Sequence, residues 1–534
     1  MSRPQHHAGR SWMPLLLAAL AGGCTVGPDY HAPKPALEDE YAEAAAAGPA
    51  LASRPESGPE AAQRWWFTFH DPELNALVRR ALAGNRDLKV AASRVRQARI
   101  QRLVALGGLW PEIDATAGYN RGLGSRNVQL PFGGGASAAP AGGGTPRAAQ
   151  ADQRDSSPAT PDLSGDGAGG AVRPAGPASP LGEGGFPGVV TNLYQVGFDA
   201  SWEIDFFGGR RRALELAGAQ VGATEEAERG VVVSLLGEVA ESYLQLRAGQ
   251  RRLELARQNV AVGRETLELI QAKFRHGFAT DLEVVRQSAE LASLSAAVPQ
   301  LEAAEKMSIH ALSVLVGDEP GALTRELSAV PAEEPPPLPA EIPVGLPSDL
   351  LRRRPDVRRA ERELAAATAK VGVATAGLFP QFNLAAAAGL DSSNPGDLAA
   401  WSSRYYSVTP GLRWPILDWG RARGGVRLSA EAKQEALTRY EAVVAQAVLD
   451  VENALARFRG EQLVRAARAE AQAATHQAFT LARQRYEHGL VDSLAVLEAQ
   501  HALVAADDSL AQSDASVRLT LVALYKALGG GWEG

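Results

Sequence analysis

The sequence predicts a mainly α-helical protein with a smaller β part, built from two copies of one unit. Three observations carry this prediction in the 534-residue chain: a turn motif that recurs 212 positions later, a column of apolar residues spaced by seven, and four segments that alternate apolar and polar residues. A sustained seven-residue spacing is typical of long helices packed along one another. Strict alternation is typical of strands with one apolar face.

The N-terminus has the form of a bacterial secretion signal. Arg3 and Arg10 precede an apolar run from Trp12 to Ala21, and Gly22-Gly23 then lead into Cys24, the only cysteine. We expect residues 1–23 to be a lipoprotein signal peptide and the Cys24 thiol to carry covalent lipid, such as palmitate, with no other cofactor. An ordinary signal peptide with an incidental cysteine is the alternative, since Ala21 stands where a lipobox usually has Leu.

Composition excludes several classes of protein. The net charge of -7 argues against a nucleic-acid-binding protein, because such domains are usually basic. One cysteine allows no intrachain disulfide and no cysteine-based metal site. No later segment approaches the 18 uninterrupted apolar residues of a membrane-spanning helix, so any crossing of a membrane would have to use strands in a closed barrel.

The repeat defines the organisation of the chain. The segment Lys273–Gly277 recurs as Arg485–Gly489, 212 positions later, whereas Gly108–Pro111 recurs as Gly377–Pro380, 269 positions later. The first copy therefore carries about 57 additional residues, within a Gly-, Ala- and Pro-rich segment, 122–188, that we expect to be a loop. The predicted divisions are an N-terminal equatorial segment 24–84, a first repeat 85–330, a Pro-rich linker 331–347 and a second repeat 348–534.

Two β-hairpins are expected, one in each copy. The second hairpin spans 381–417. The alternating apolar residues are Ile113 to Tyr119, Val196 to Phe206, Phe382 to Leu390, where the pattern is weakest, and Tyr406 to Ile416. Each run has the length of a tilted membrane strand, but the smallest membrane barrels have about eight strands. If these strands cross a membrane, several chains must share one barrel, because open strand edges in lipid would leave backbone groups unpaired. A half-buried strand in a soluble sandwich would show the same alternation.

Very long helices are expected between the hairpins and the repeated turns. Apolar residues recur every seven positions, at Val232, Val239, Leu246, Leu253, Val260, Leu267 and Phe274, in a stretch from Arg210 without proline. About 65 residues of helix span roughly 100 Å. Each long helix should end at a His-Gly turn, because glycine suits the left-handed conformation that terminates a helix. A returning helix should follow, from Asp281 and from Ser493.

These motifs together resemble the TolC-like outer-membrane factors, in particular the lipoprotein branch of RND-type efflux systems that includes OprM, CusC and NodT. The matching segments are Gly23–Tyr30, Trp65-Trp66, Trp202–Gly208, Arg353–Asp356, Trp414–Asp418 and the two turns that end at Gly277 and Gly489. The resemblance covers nearly the whole mature chain in order. The loop 122–188 departs from it, since the corresponding extracellular turn of the family is usually shorter.

The resemblance implies a fold, a location and a set of partners. Three chains would form one twelve-stranded outer-membrane β-barrel, continued by a twelve-helix α-barrel through the periplasm, with an equatorial domain around its middle. The homotrimer, anchored in outer-membrane lipid, would conduct drugs, metals or other small molecules. The turns at His276-Gly277 and His488-Gly489 would contact a periplasmic adaptor protein, which links to an inner-membrane RND-type transporter.

Candidate site residues follow from the same resemblance. Glu498 matches an acidic ring that narrows the periplasmic aperture, with Asp492 as the weaker candidate, although an exposed glutamate on a helix is usually only solvated. His276 and His488 are better explained as turn residues than as metal ligands. Trp202 and Trp414 suit membrane-interface anchors, and packing at the junction of barrel and tunnel is the alternative.

Three other functions remain open from the sequence. The first is the outer-membrane duct of a type I protein-secretion system. The second is a non-channel, lipid-anchored periplasmic coiled-coil protein, which the alternating strands disfavour. The third is an enzyme, but the sequence contains no nucleophile elbow, P-loop, HExxH motif or Cys/His cluster.

Overall fold

The computed structural model of the chain describes residues 25–45, 54–56, 64–123, 190–329, 338–339 and 341–532. Cys24 and nearly all of the predicted loop 122–188 lie outside these residues. The helices are α1 Ala42–Ala45, α2 Pro72–Gly84, α3 Arg86–Gly107, α4 Gly209–Arg275, α5 Asp281–Leu315, α6 Thr324–Leu327, α7 Leu350–Arg353, α8 Pro355–Ala376, α9 Arg421–Glu487 and α10 Ser493–Ala527. The strands are β1 Arg54–Glu56, β2 Glu112–Leu123, β3 Val190–Ile204, β4 Glu341–Pro343, β5 Gln381–Ser392 and β6 Arg404–Arg413. Short 3₁₀ helices occupy Trp65–Phe69, Pro347–Asp349, Pro395–Asp397 and Trp401–Ser403.

The two copies correspond element by element, which confirms the predicted internal repeat. The helices α4 and α9 each contain 67 residues and begin 212 positions apart. The helices α5 and α10 each contain 35 residues at the same separation. The helices α3 and α8, each of 22 residues, and the strands β2 and β5, each of 12 residues, are separated by 269 positions. The long helices predicted from the seven-residue spacing are therefore present in both copies.

One of the two units into which the chain divides is a β unit, Gly108–Phe206 with Phe379–Ile416. Its antiparallel sheet has the strand order β2-β3-β5-β6, so β2 and β6 are the outer strands. The register pairs Tyr119 with Tyr194, whose rings lie 4.7 Å apart. It also places Val196 beside Leu390 and Phe198 beside Ala388. The predicted apolar residues therefore share one face of the sheet.

The last strand is shorter than its alternation predicts. The pattern continues to Ile416, but β6 ends at Arg413. Arg413 pairs with Gln381, the first residue of β5, so β6 ends where its partner strand begins.

The other unit is helical and comprises Met1–Gly107, Phe207–Leu378 and Leu417–Gly534. Its main core forms where the middle of α4 and of α9 meet the short helices and the end of α10. Leu236, Val239 and Leu246 are fully buried there, and Trp65 stacks on Tyr525 with 5.5 Å between ring centroids. Burial of such large side chains supplies most of the stabilisation of a fold.

The N-terminal segment is fastened to the start of α4. The Val26 N–H donates to the Phe207 carbonyl at 3.1 Å. The buried Arg212 guanidinium donates to Asp29 at 2.6 Å. Gly27 has φ +93, and a Cβ there would lie 2.5 Å from the Cα of Gly372, so only glycine fits this close approach.

Candidate functional site

The two repeated turns end the long helices with the same backbone geometry. Gly277 has φ +77 and Gly489 has φ +71. In the first turn the Phe278 N–H donates to the Lys273 carbonyl at 2.8 Å, and in the second the Leu490 N–H donates to the Arg485 carbonyl at 2.9 Å. This six-residue hydrogen bond around a left-handed glycine is the Schellman motif, which satisfies carbonyl groups that the helix end would otherwise leave free.

Each turn exposes a large apolar side chain directly after its glycine. Phe278 is 82% exposed and Leu490 is 72% exposed. In a Schellman motif this residue commonly packs back on the helix that it terminates. Here both side chains remain exposed instead. His276 and His488 are exposed beside them and close the helices through their backbone N–H groups.

The returning helices begin with capping side chains. Thr280 caps α5 and forms a capping box with Glu283. Asp492 caps α10, where its carboxylate accepts from the Ala495 N–H at 3.1 Å. Such caps typically contribute about 1 kcal/mol. Asp492 therefore has a structural role at this position, independent of any role in the aperture.

A tyrosine joins the two helical hairpins near the turns. Tyr486 on α9 is 5% exposed, and the Lys273 ammonium lies 3.7 Å from its ring centroid while donating to its backbone carbonyl. The Tyr486 hydroxyl lies 3.5 Å from Glu283. Burial, with the nearby Glu283 charge, raises the pKa of Tyr486 to about 12, so the hydroxyl stays protonated. Because Lys273 and Tyr486 precede the two glycine turns, these contacts also hold the turns side by side.

Further ion pairs join the same two hairpins. Glu265 on α4 lies 3.5 Å from Arg483 on α9, and Arg252 contacts Asp508 on α10 at 2.6 Å. A small apolar cluster lies between the hairpins: Ile270, Phe479, Tyr486, Val496 and Leu503. From the sequence, Lys273 is notable only as the first residue of the turn motif, and nothing singles out Arg483. Tyr486 was noted only as part of the turn motif, and no local signal distinguished it as the contact between the hairpins.

The structure places the other predicted residues as follows. Glu498 is exposed on α10, six residues after the cap at Asp492. Trp202, on the apolar face of the sheet, donates its indole N–H to the Leu109 carbonyl at 3.0 Å. Trp414 is about half exposed just after β6. Cys24 lies outside the described residues. The next residue, Thr25, lies against Gly208, where a Cβ would come within 2.8 Å of the Thr25 Cα.

Within the described part of the chain, no group of three or more His, Cys, Asp or Glu is arranged to hold a metal ion. None of the described helices has an apolar stretch sufficient to cross a membrane.

Comparison with known proteins identifies relatives along the whole chain. A family described as outer membrane efflux protein matches residues 146–318 and 346–530. The pyoverdine export outer membrane protein OpmQ of Pseudomonas aeruginosa is 32% identical over 472 residues, which is 88% of this chain and 88% of that protein. The toluene efflux pump outer membrane protein TtgI of Pseudomonas putida is 30% identical over 530 residues, 98% of each chain.

Solved structures agree with these matches. The outer-membrane channel OprN is 33% identical, with a TM-score of 0.76 over 96% of this chain and 100% of that one. The CmeC outer membrane channel of Campylobacter jejuni is 19% identical and shares the fold, with a TM-score of 0.76 over 95% of both chains. This chain therefore belongs to the outer membrane efflux protein family and is an outer-membrane channel component of an efflux system.

Proposed function

We propose that this chain is the exit duct of a tripartite efflux pump, conducting small molecules from a periplasmic pump assembly to the exterior. The supporting observation is the pair of 67-residue helices whose ends lie together and expose Phe278 and Leu490. Each helix spans about 100 Å, a distance suited to the periplasm. The duct works by passive conduction and gating, without catalysis.

A homotrimer is the proposed assembly. The outer strands β2 and β6 each have one edge without a partner strand in the described sheet. Apolar side chains are exposed on α3, at Ile100, Leu103 and Val104, and on α9, at Leu428, Leu449 and Leu463. Three copies that pair these edges would form a barrel of twelve strands and a tunnel of twelve helices. Such closure would satisfy the free strand edges in lipid and cover the apolar helix faces.

Lipid on Cys24 is the proposed anchor. The next residue, Thr25, packs on Gly208 at the start of α4, and the Val26 N–H donates to Phe207. In the chain, Gly208 follows the strand β3, which ends at Ile204, by four residues. Acyl chains on Cys24 would thus reach the membrane close to the ends of the strands, and two or more such chains anchor a protein firmly.

The proposed partners are a periplasmic adaptor and an inner-membrane RND-type transporter. The turns at Gly277 and Gly489, with His276, His488 and the exposed apolar side chains beside them, form the proposed adaptor surface. The relatives are named for pyoverdine export and toluene efflux, which are chemically unlike substrates. We therefore propose a permissive duct for drugs, metals or other small molecules, with selection made in the transporter.

Glu498 is the proposed aperture residue. Three exposed Glu498 carboxylates that converge on a threefold axis would favour cations at the narrowest point. Asp492 is the weaker candidate because its carboxylate already caps α10. The membrane-interface role of Trp202 and Trp414 remains part of the proposal, since both lie at the end of a membrane-type strand.

Reconstitution tests the proposal. The purified chain should migrate as a heat-dissociable trimer and give discrete conductance steps in planar bilayers, and a monomer without conductance would refute the duct.

Glu498→Gln should lower the cation preference, measured as reversal potential in a salt gradient, more than Asp492→Asn, which keeps a capping side chain. Cys24→Ser should abolish incorporation of labelled palmitate. Deleting the gene should increase susceptibility to drugs, solvents or metals.

A further inference from the structure

The internal repeat places two different residues in one structural role. Asn85 and Arg354 stand directly before α3 and α8, 269 positions apart. Asn85 Nδ2 donates to the carbonyl of Leu315, the last residue of α5, at 2.9 Å. Arg354 Nη1 donates to the carbonyl of Ala527, the last residue of α10, also at 2.9 Å. Both side chains therefore tie an incoming helix to the end of the returning helix.

In the second copy the larger side chain also pairs with two carboxylates. Arg354 Nη2 lies 2.6 Å from Asp356 and 2.9 Å from Asp450. Burial disfavours ionisation of Asp356, but the hydrogen bonds and charge of Arg354 outweigh it and hold the pKa of that carboxyl below its usual range. This copy contains a guanidinium site made by one acid on α8 and one acid on α9.

The first copy keeps the acids and lacks the guanidinium. Asp87 on α3 matches Asp356, and Glu238 on α4 matches Asp450. The amide of Asn85 carries no charge. The described residues supply no ion pair or side-chain hydrogen bond to either Asp87 or Glu238. The repeat thus preserves an anionic site whose natural counter-ion in the other copy is an alkyl guanidinium.

These groups line one groove of about 350 Å³ between the starts of α3 and α8. Its charged lining consists of Asp87, Glu226, Glu238, Asp356 and Arg359. Its apolar lining includes Ala227, Val231 and Leu235. The volume falls within the range of small-molecule sites, and the apolar side chains suit an aliphatic stem.

A buried acid at this groove has spare hydrogen-bonding capacity. Glu226 is 4% exposed, and its Oε1 pairs with Arg229 at 2.5 Å and Arg358 at 2.8 Å. Its Oε2 is buried without a hydrogen-bond partner. Buried carboxylate oxygens are normally hydrogen-bonded, so this residue of the groove lining keeps an acceptor that a donor-bearing ligand would satisfy.

We propose that this groove binds a small organic cation, a guanidinium or primary ammonium group on an alkyl chain, held chiefly by Asp87 and Glu238. Arg229 and Arg358 outnumber Glu226 by one charge, which offsets the surplus acid where Arg354 serves both Asp356 and Asp450. Arg359 pairs with Glu363, so the excess negative charge of the groove is that of Asp87 and Glu238. Placement in the first turn of a helix favours Asp87 through the helix dipole. That effect does not account for Glu238, which lies in the middle of α4.

Calorimetric titration of the full-length, detergent-solubilised protein with n-butylguanidinium tests the site. We expect saturable binding of one cation per chain and at least tenfold weaker binding of N-butylurea, the uncharged analogue of similar shape. Glu238→Gln and Asp87→Asn, both exposed positions, should each weaken binding about tenfold, as loss of one charge-assisted contact does. Glu441→Gln, an exposed acid on α9 outside this groove, should leave binding unchanged.

The variant Asn85→Arg tests the same site independently of the titration variants. It should place the chain's own guanidinium between Asp87 and Glu238, abolish binding of the probe and raise the melting temperature. The proposal is overturned if n-butylguanidinium shows no saturable binding, if N-butylurea binds as tightly, or if Glu238→Gln and Asp87→Asn bind like wild type. None of these outcomes depends on conductance, so the test is separate from that of the duct.

Discussion

Replacing Tyr486 with alanine should loosen the turn end of the long helices while leaving the main core intact. The side chain is buried in a cluster of only five buried residues, with the Lys273 ammonium 3.7 Å from its ring centroid. Tyr486→Ala removes the ring, its cavity-filling volume and the cation–π contact together. Tyr486→Phe is the matched control, because it removes only the hydroxyl, whose contact with Glu283 is long at 3.5 Å.

The two substitutions should differ strongly in magnitude. Truncating a buried aromatic residue to alanine costs about 3–5 kcal/mol. A weak hydroxyl contact contributes less than about 1 kcal/mol. A change of about 1.4 kcal/mol in free energy changes an equilibrium constant tenfold. A loss of about 3 kcal/mol therefore increases the equilibrium constant of local opening by more than about 100-fold.

Amide hydrogen exchange, followed by mass spectrometry, measures this local opening. Peptides covering the helix ends beside Gly277 and Gly489 should exchange about 100-fold faster in Tyr486→Ala and at nearly the wild-type rate in Tyr486→Phe. Peptides around Leu236, in the separate main core, should not change. Unchanged exchange beside the turns in Tyr486→Ala, or equal acceleration in both variants, would show that the ring does not hold the hairpins together.

Three further predictions concern the turns and the core. Gly489→Ala should lower the melting temperature by the equivalent of about 1–2 kcal/mol, because the residue has φ +71 and alanine is strained there even though no atom lies within 4 Å of its Cβ. Gly460→Ala is the control: it lies in the middle of α9, its Cβ would also have no neighbour within 4 Å, and it should raise stability by about 0.5–1 kcal/mol. Arg354 holds the pKa of Asp356 below its ordinary value of 3.8, so the ionised carboxyl stabilises the fold above that pH. The difference in melting temperature between wild type and Asp356→Asn should therefore be largest at pH 7 and should decrease as the pH falls below about 4. Phe278→Asp should leave the melting temperature unchanged but reduce efflux and adaptor cross-linking, and wild-type efflux in this variant would argue against the proposed adaptor surface.

Much of the fold was predictable because its signals are local. The seven-residue apolar spacing predicted a helix from Arg210 to Phe274, and the structure has Gly209–Arg275. Period-two alternation located four strands even where the Ala-rich pattern of β5 was weak. Where the prediction failed at the end of β6, the cause was the pairing, since Arg413 lies opposite the first residue of the partner strand β5.

The candidate site was only partly predictable. The turns at Gly277 and Gly489 followed from glycine chemistry, and Asp492 was noted, but its role as a helix cap emerged only from the structure. The partnership of Lys273 with Tyr486 joins residues 213 positions apart, and no local pattern specifies which lysine meets which ring.

The repeat shows this division most clearly. Phe274 and Tyr486 hold the same position in matching motifs, directly before matching turns. The sequence by itself determined the helix and its glycine stop, because these depend on backbone conformation within a few residues. Yet Phe274 is 46% exposed and Tyr486 is 5% exposed. Only the tertiary structure decided this difference, because burial depends on which distant helices pack against each copy.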